Sequence, residues 1–155
     1  MRRLRTSDDD GAVLVEFAII APLFFLLIFG IVEFGWAFLQ NLDVRHGARE
    51  GARLAAVSYE DPGTGDPQID EIVAETCARM DKAANANVSI SVPAGQPGTP
   101  RSTGQKAVIS VESRLDTLTG FLDFAIPDGT MLSSTVEIRL EQPATWADVA
   151  NRACP

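Results

Sequence analysis

Three kinds of side chain in this 155-residue sequence could do chemistry, and their setting decides which of them do. Two carboxylates, Glu16 and Glu33, are the only charges in an apolar run from Ala12 to Leu39. A carboxylate in such a segment costs roughly a few kcal/mol or more without a partner, so each glutamate calls for a partner or a membrane edge. Two cysteines, Cys77 and Cys154, lie in the polar remainder, with a single histidine, His46. One His and two Cys at no recognisable spacing do not make a four-ligand metal set, so neither a metal nor a cofactor is expected. A cysteine pair in an exported domain more often closes a disulfide. Here it would close a loop of about 78 residues and restrict the unfolded chain by about 4 kcal/mol in the entropic model. Two unlinked buried thiols are the alternative.

Catalysis finds no footing. His46 falls beside Arg45 and Arg49 on a predicted helix, the setting of a solvated surface residue, and Asp8–Asp10 is a polar tract rather than a positioned carboxylate pair. No P-loop, Gly-x-Ser-x-Gly elbow or dinucleotide fingerprint is present, so no enzyme activity and no small-molecule substrate are expected. Charge excludes another class. The net charge is −8; residues 1–11 balance three Arg against three Asp, and Gln40–Pro155 is acidic. Nucleic-acid binding draws most of its affinity from basic patches, and none exists here. An Asn87-Val88-Ser89 sequon is discounted in a bacterial-type protein.

The element that must position the two glutamates is the apolar run. A cleaved secretory signal would need a short apolar core followed by a small-x-small site, but this run is long and ends in bulky Phe34-Gly35-Trp36-Ala37-Phe38. An ordinary signal anchor fits the length and leaves the internal glutamates unexplained. A third reading starts from the order Gly11-Ala12-Val13-Leu14-Val15-Glu16-Phe17. A polar leader ends at Gly11 and the apolar run begins at once, which resembles a type IV prepilin signal. A cut between Gly11 and Ala12 would make Glu16 the fifth residue of the mature chain. The freed α-amine and a carboxylate one helical turn along can neutralise each other, within a chain or between neighbouring subunits. Interfacial snorkelling is the plain alternative for Glu16.

Glu33 has two readings of its own. Phe17–Val32 spans only about 24 Å at ~1.5 Å per residue, less than a ~30 Å hydrocarbon core. Either the run continues through Phe34–Leu39, or both glutamates lie at its edges. Trp36 suits an outer interface. An interfacial Glu33 and a subunit-contacting Glu33 both remain open. Pro22 predicts a kink near Ala18–Pro22 and no more than that.

The resemblance extends along the chain, through Glu16-Phe17-Ala18 and Pro22, then Gly30-Ile31-Val32-Glu33-Phe34-Gly35, then Ala48-Arg49-Glu50-Gly51-Ala52-Arg53. In that order these resemble the TadE-like family, over Gly11–Ala56; the motifs do not separate TadE from its paralogue TadF. The resemblance implies a minor pilin or pseudopilin of the tight-adherence (Tad/Flp) system, which supports adhesive pili for attachment and biofilm formation. It implies a prepilin peptidase cutting between Gly11 and Ala12, and Glu16, Phe17 and Glu33 as recognition and assembly residues. The implied partners are the inner membrane, the peptidase, other minor and major pilins and the assembly platform. The implied location is the bacterial inner membrane, single-pass, with an extracytoplasmic C-terminal domain that could enter a pilus. The acidic Asp8–Asp10 departs from family leaders, which are rich in Lys and Arg. An uncleaved membrane-anchored binding or sensor domain is the alternative. Loop charge does not decide the orientation, because Arg2, Arg3 and Arg5 are matched by Arg45, Arg49 and Arg53.

Beyond the membrane the sequence predicts an α+β ectodomain. The organisation is a leader over 1–11, a transmembrane helix over 12–39, a helical extension over 40–57 and the ectodomain over 58–155. Phe38, Leu39, Leu42, Ala48, Ala52, Ala55 and Ala56 recur at near-helical spacing, and one helix to Val57 would be about 69 Å long. Gly47 and Gly51, four apart among alanines, form a helix-packing face open to another backbone or to the protein's own sheet. Asp66 and Pro67 predict the start of a second helix running to about Ala84, with Cys77 on its inner face. Period-two runs over 88–92, 107–111 and 132–140 predict antiparallel strands, with a Pro- and Gly-rich loop over 93–104.

Overall fold

The apolar run and the alanine-rich stretch behind it form a single helix, α1 (Asp8–Ala56), which carries Pro22 inside it without ending there. The computed structural model describes residues 8–59, 68–81, 85–92, 101–121, 123–146 and 148–154, with side chains from Gly11 onward. The predicted cap residues Asp66 and Pro67 and most of the 93–104 loop lie outside the described residues. After α1 come α2 (Gln68–Ala78), β1 (Asn87–Ser91), β2 (Lys106–Arg114), β3 (Met131–Arg139) and β4 (Val149–Ala153). The fold is α+β.

The helix ends where its backbone finds other partners. Ser58 takes a left-handed φ of 51°. The Tyr59 N–H reaches back to the Leu54 carbonyl at 3.0 Å and the Ser58 N–H to that of Ala55 at 3.3 Å, the two bonds of a Schellman stop. The Glu141 N–H then satisfies the Ala56 carbonyl at 2.8 Å, which joins the helix end to the segment after β3.

The four strands form one antiparallel sheet in the order β3-β2-β1-β4. Alternation decides its faces. Val88 and Ile90 of β1 pair with Val111 and Ile109 of β2, and all four are buried. Ser110 and Thr135 form a hydroxyl pair at 3.0 Å on the exposed face. Val44, Ala48, Ala52 and Ala55 of α1 close the core over the inner face. Small residues there let the helix backbone approach the strands closely.

Three expectations change. The predicted apolar face of the helical extension splits: Ala48, Ala52, Ala55 and Ala56 are buried, whereas Phe38, Leu39 and Leu42 are exposed, Phe38 by 69%. The 3.6-residue period carries Leu39 and Leu42 away from the buried side of α1, whereas Phe38, five whole turns before Ala56, shares its phase and is left uncovered by the described residues. The second helix stops at Ala78 rather than near Ala84, because Arg79 and Met80 bond to Thr76 and Cys77 carbonyls three residues back and tighten the last turn. A fourth strand, β4, was not foreseen. It pairs with β1 across a register shift between Val88 and Ile90.

Cys77 and Cys154 are disulfide-bonded, with their Cα atoms 5.5 Å apart and the two residues 77 positions apart in the sequence. The bond ties the end of α2 to the residue after β4, and the Cys154 N–H also donates to the Ala86 carbonyl at 2.8 Å. Arg152 of β4 pairs with Asp70 of α2. Nearby, the buried Arg101 donates to the Trp146 carbonyl at 3.1 Å and to Asp148 at 2.6 Å, with its guanidinium 4.6 Å from the Trp146 ring centroid. Replacing both cysteines by serine should lower the unfolding free energy of the α+β part by about 4 kcal/mol. Denaturant titration of the full chain in detergent reads this directly, and a loss under about 1 kcal/mol would mean that the closed loop does not limit the unfolded state.

Candidate functional site

The site residues named from sequence all fall on α1 apart from the cysteines, and the fold treats them differently. From Gly11 to Ile20 every residue is exposed, and so are Leu23–Leu27. No part of the chain's own core covers this half of the helix. Its length and composition suffice to cross a membrane, and it fits a single-pass anchor. Gly11, Ala12, Glu16 and Phe17 stand on this bare helix, and a Cβ at Gly11 would meet nothing within 4 Å. Glu16 has no hydrogen-bond or ion-pair partner among the described residues.

Glu33 is in a different environment. Only 2% of its surface is exposed, although the residues on both sides of it, Val32 and Phe34, are exposed. The long connection between β2 and β3, residues 115–130, folds down over it. The Leu118 N–H donates to Glu33 Oε1 at 2.8 Å, and the Thr119 N–H and hydroxyl donate to Oε2 at 3.1 and 2.8 Å. A carboxylate that accepts three donors can be buried without a counter-charge, because each bond to a charged acceptor offsets part of the lost hydration.

Gln40, two turns further along the same face, repeats the device. Its Nε2 donates to the Asp116 carbonyl at 2.6 Å, and its Oε1 accepts from the Asp116 N–H at 3.0 Å. The side-chain amide thus pairs with the loop backbone as a neighbouring strand would. The connection therefore descends α1 from Gln40 to Glu33, and Phe121 then meets Phe29, with ring centroids 5.2 Å apart. Sequence reasoning found Glu33 but missed Gln40 and the loop. Two signals could have exposed them: the seven-residue spacing of Glu33 and Gln40, and the apolar content of a connection holding Leu118, Phe121, Phe124 and Ile126.

Gly47 and Gly51 are covered by the chain itself. A Cβ at Gly47 would collide with Met80 Sδ, and one at Gly51 would lie 2.7 Å from Thr76 Oγ1. What fills this small-residue face is side chains, those of Thr76 in α2, Met80 just after it and Ile109 of β2. His46 is exposed. Among the described residues no three His, Cys, Asp or Glu side chains converge in a way that could hold a metal ion.

Comparison with known families bears on the helix. Residues 11–53 match the family model described as TadE-like protein. Over that segment the chain is similar to the TadE-like family. Searches among curated proteins and among solved structures find no match. The match includes Gly11, Ala12, Glu16, Phe17, Glu33, Gln40, Gly47 and Gly51 of the TadE-like segment and stops before α2, the sheet and the loop that bonds Glu33.

Glu33→Gln replaces one acceptor oxygen by an amide that can only donate, facing the Leu118 and Thr119 N–H groups. Each buried donor left unsatisfied costs about 1–3 kcal/mol, so the variant should lose about 2 kcal/mol and speed hydrogen exchange at Leu118 and Thr119 selectively. Unchanged exchange at both amides would mean that the carboxylate does not hold the loop.

Proposed function

We propose that this chain is a minor pilin or pseudopilin that supports assembly of Tad/Flp adhesive pili for surface attachment and biofilm formation. The observation that carries the reading is Glu16. Its carboxylate stands five residues past Gly11 on a membrane-compatible helix, exposed and with no partner among the described residues. An unpartnered carboxylate at the edge of lipid is costly, and the cheapest relief is an amine presented by a neighbour. In this reading a prepilin peptidase cuts between Gly11 and Ala12 and frees the α-amine of Ala12. The Glu16 of one subunit then meets the amine of the next, with Phe17 beside it in the subunit contact. The protein sits in the inner membrane with its ectodomain outside the cytoplasm, among other minor and major pilins and the assembly platform. Glu33, already holding three donors of its own chain, contributes to assembly by shaping the surface beside the helix and not as a free carboxylate.

One observation favours a second reading, an uncleaved anchor carrying a binding or sensor domain. The helix already runs through Gly11–Ala12, so a peptidase would have to unwind it there.

The two readings part at the mature N-terminus. Intact mass and N-terminal sequencing of membrane-extracted protein should give a chain that starts at Ala12, and a bulky residue at position 11 should slow its appearance. A chain that keeps Met1–Gly11 in cells with an active prepilin peptidase would overturn the processed-pilin reading. Glu16→Gln should insert normally yet reduce surface fibres, because the amide gives up a charge-assisted contact of about 1.5–3 kcal/mol. Glu16→Leu should insert at least as well and assemble no better. Fibre counts taken with protein level and cleavage in the same cells check this. Normal piliation in both variants would leave Glu16 as a snorkelling residue.

A further inference from the structure

We propose that the β2–β3 connection is a second membrane-contacting element, whose tip seats in the outer-leaflet interface against α1. The proposal rests on the reading of α1 as a membrane anchor and adds to it an occupant for the loop's exposed apolar surface, the lipid itself.

The depth of the loop follows from its contacts. Asp116 is held at Gln40, Leu118 and Thr119 at Glu33, and Phe121 at Phe29. From Gln40 to Phe29 the connection therefore descends about 16 Å along α1, toward the apolar half. Laying about 30 Å of hydrocarbon outward from Glu16, at ~1.5 Å per residue, puts the outer boundary near Trp36. Trp36 is a residue type favoured at that boundary. Phe29 then lies about 10 Å inside it, and Phe121 lies beside Phe29.

The composition of the loop suits that place. Among the described residues Leu118 is 51% exposed and Phe124 82%. A mostly apolar groove of about 240 Å³ between α1 and the returning limb of the loop is lined by Phe34, Ala37, Leu115 and residues 125–127, with Glu33 and Thr130 as its polar members. Its walls match an acyl chain better than water. There is no Lys or Arg between Leu115 and Ile138. Asp116, at the level of Gln40, stays outside that boundary, and Asp123, just past Phe121, accepts from the Thr117 hydroxyl at 2.6 Å.

Backbone placed in lipid must have its N–H groups satisfied from within the protein, and Glu33 does this for Leu118 and Thr119. The relation is mutual. The loop shields from lipid the one charge that interrupts the outer part of the anchor, and that charge satisfies the amides that allow the loop to descend.

Site-directed spin labelling of the full chain tests this, with the Cys77–Cys154 bond intact. Single labels are placed at Phe124→Cys and Leu118→Cys in the loop, at Phe25→Cys in the anchor and at Glu137→Cys on the exposed face of β3. The protein is reconstituted in phosphatidylcholine–phosphatidylglycerol vesicles, and accessibility to oxygen and to a water-soluble nickel chelate is compared. The expected result is a several-fold preference for oxygen at 124 and 118, in the direction shown at 25 and opposite to 137. Loop labels that behave like 137 while 25 stays in lipid would overturn the proposal and leave the anchor standing. Low access to both reagents at 124 would mean a contact with a second copy of the chain, and also overturns it. A label at 25 open to the nickel chelate would remove the anchor reading and this proposal with it.

Discussion

One helix in this protein has to satisfy two solvents, and the change from one to the other falls between Phe29 and Gln40. Below that stretch, back to Phe17, α1 is apolar on every side, as a lone helix in hydrocarbon must be. Above it, α1 shows the one-sided pattern of a helix packed on a sheet, with Val44, Ala48, Ala52 and Ala55 inside and Arg45, Arg49 and Arg53 outside. A charge or amide at such a junction has neither bulk water nor a core to receive it. Glu33 and Gln40 stand there, on the stripe that continues into the core, and the β2–β3 connection supplies the backbone groups both of them need. The sheet and its loop are thereby bonded to the helix at the level where the helix leaves the apolar regime.

The rest of the fold follows from that placement. Small residues on the same stripe bring the sheet and α2 against the helix; Gly47 and Gly51 leave no room for even a methyl group beside Met80 and Thr76. The far side of the molecule is closed by other means. β4 is a short, exposed edge strand with little apolar surface, and it stays in place through the disulfide to α2, the Arg152–Asp70 pair and the Arg101–Trp146–Asp148 cluster. Covalent and polar ties do there what hydrophobic burial does under α1.

Exposure divides the conspicuous residues by the kind of work open to them. Glu33, Gln40, Gly47 and Gly51 are committed to contacts within the chain. Glu16 and Phe17 on the bare helix, and Phe38, Leu39 and Leu42 on the outer side of its extension, carry surface that the chain itself leaves open. Interactions with lipid or with neighbouring subunits can draw on this second set and on the exposed Leu118 and Phe124 of the β2–β3 connection.

Local pattern alone determined the long helix, the inner face of α2 and three of the four strands. Each depends on a period of 3.6 or 2 that survives in the linear order of residues. The TadE-like character of residues 11–53 was legible for the same reason, since its motifs are contiguous. The Cys77–Cys154 pairing was legible because only two cysteines exist. Tertiary structure decided the rest. β4 has no alternation to announce it and exists because β1 offers a free edge beside the tethered Cys154. The partners of Glu33 lie 85 and 86 residues away and are mostly backbone amides, which every residue carries. No spacing in the sequence marks which amides will be used. Only the path of the chain does, and that path is set by where β2 and β3 must leave off to pair with each other.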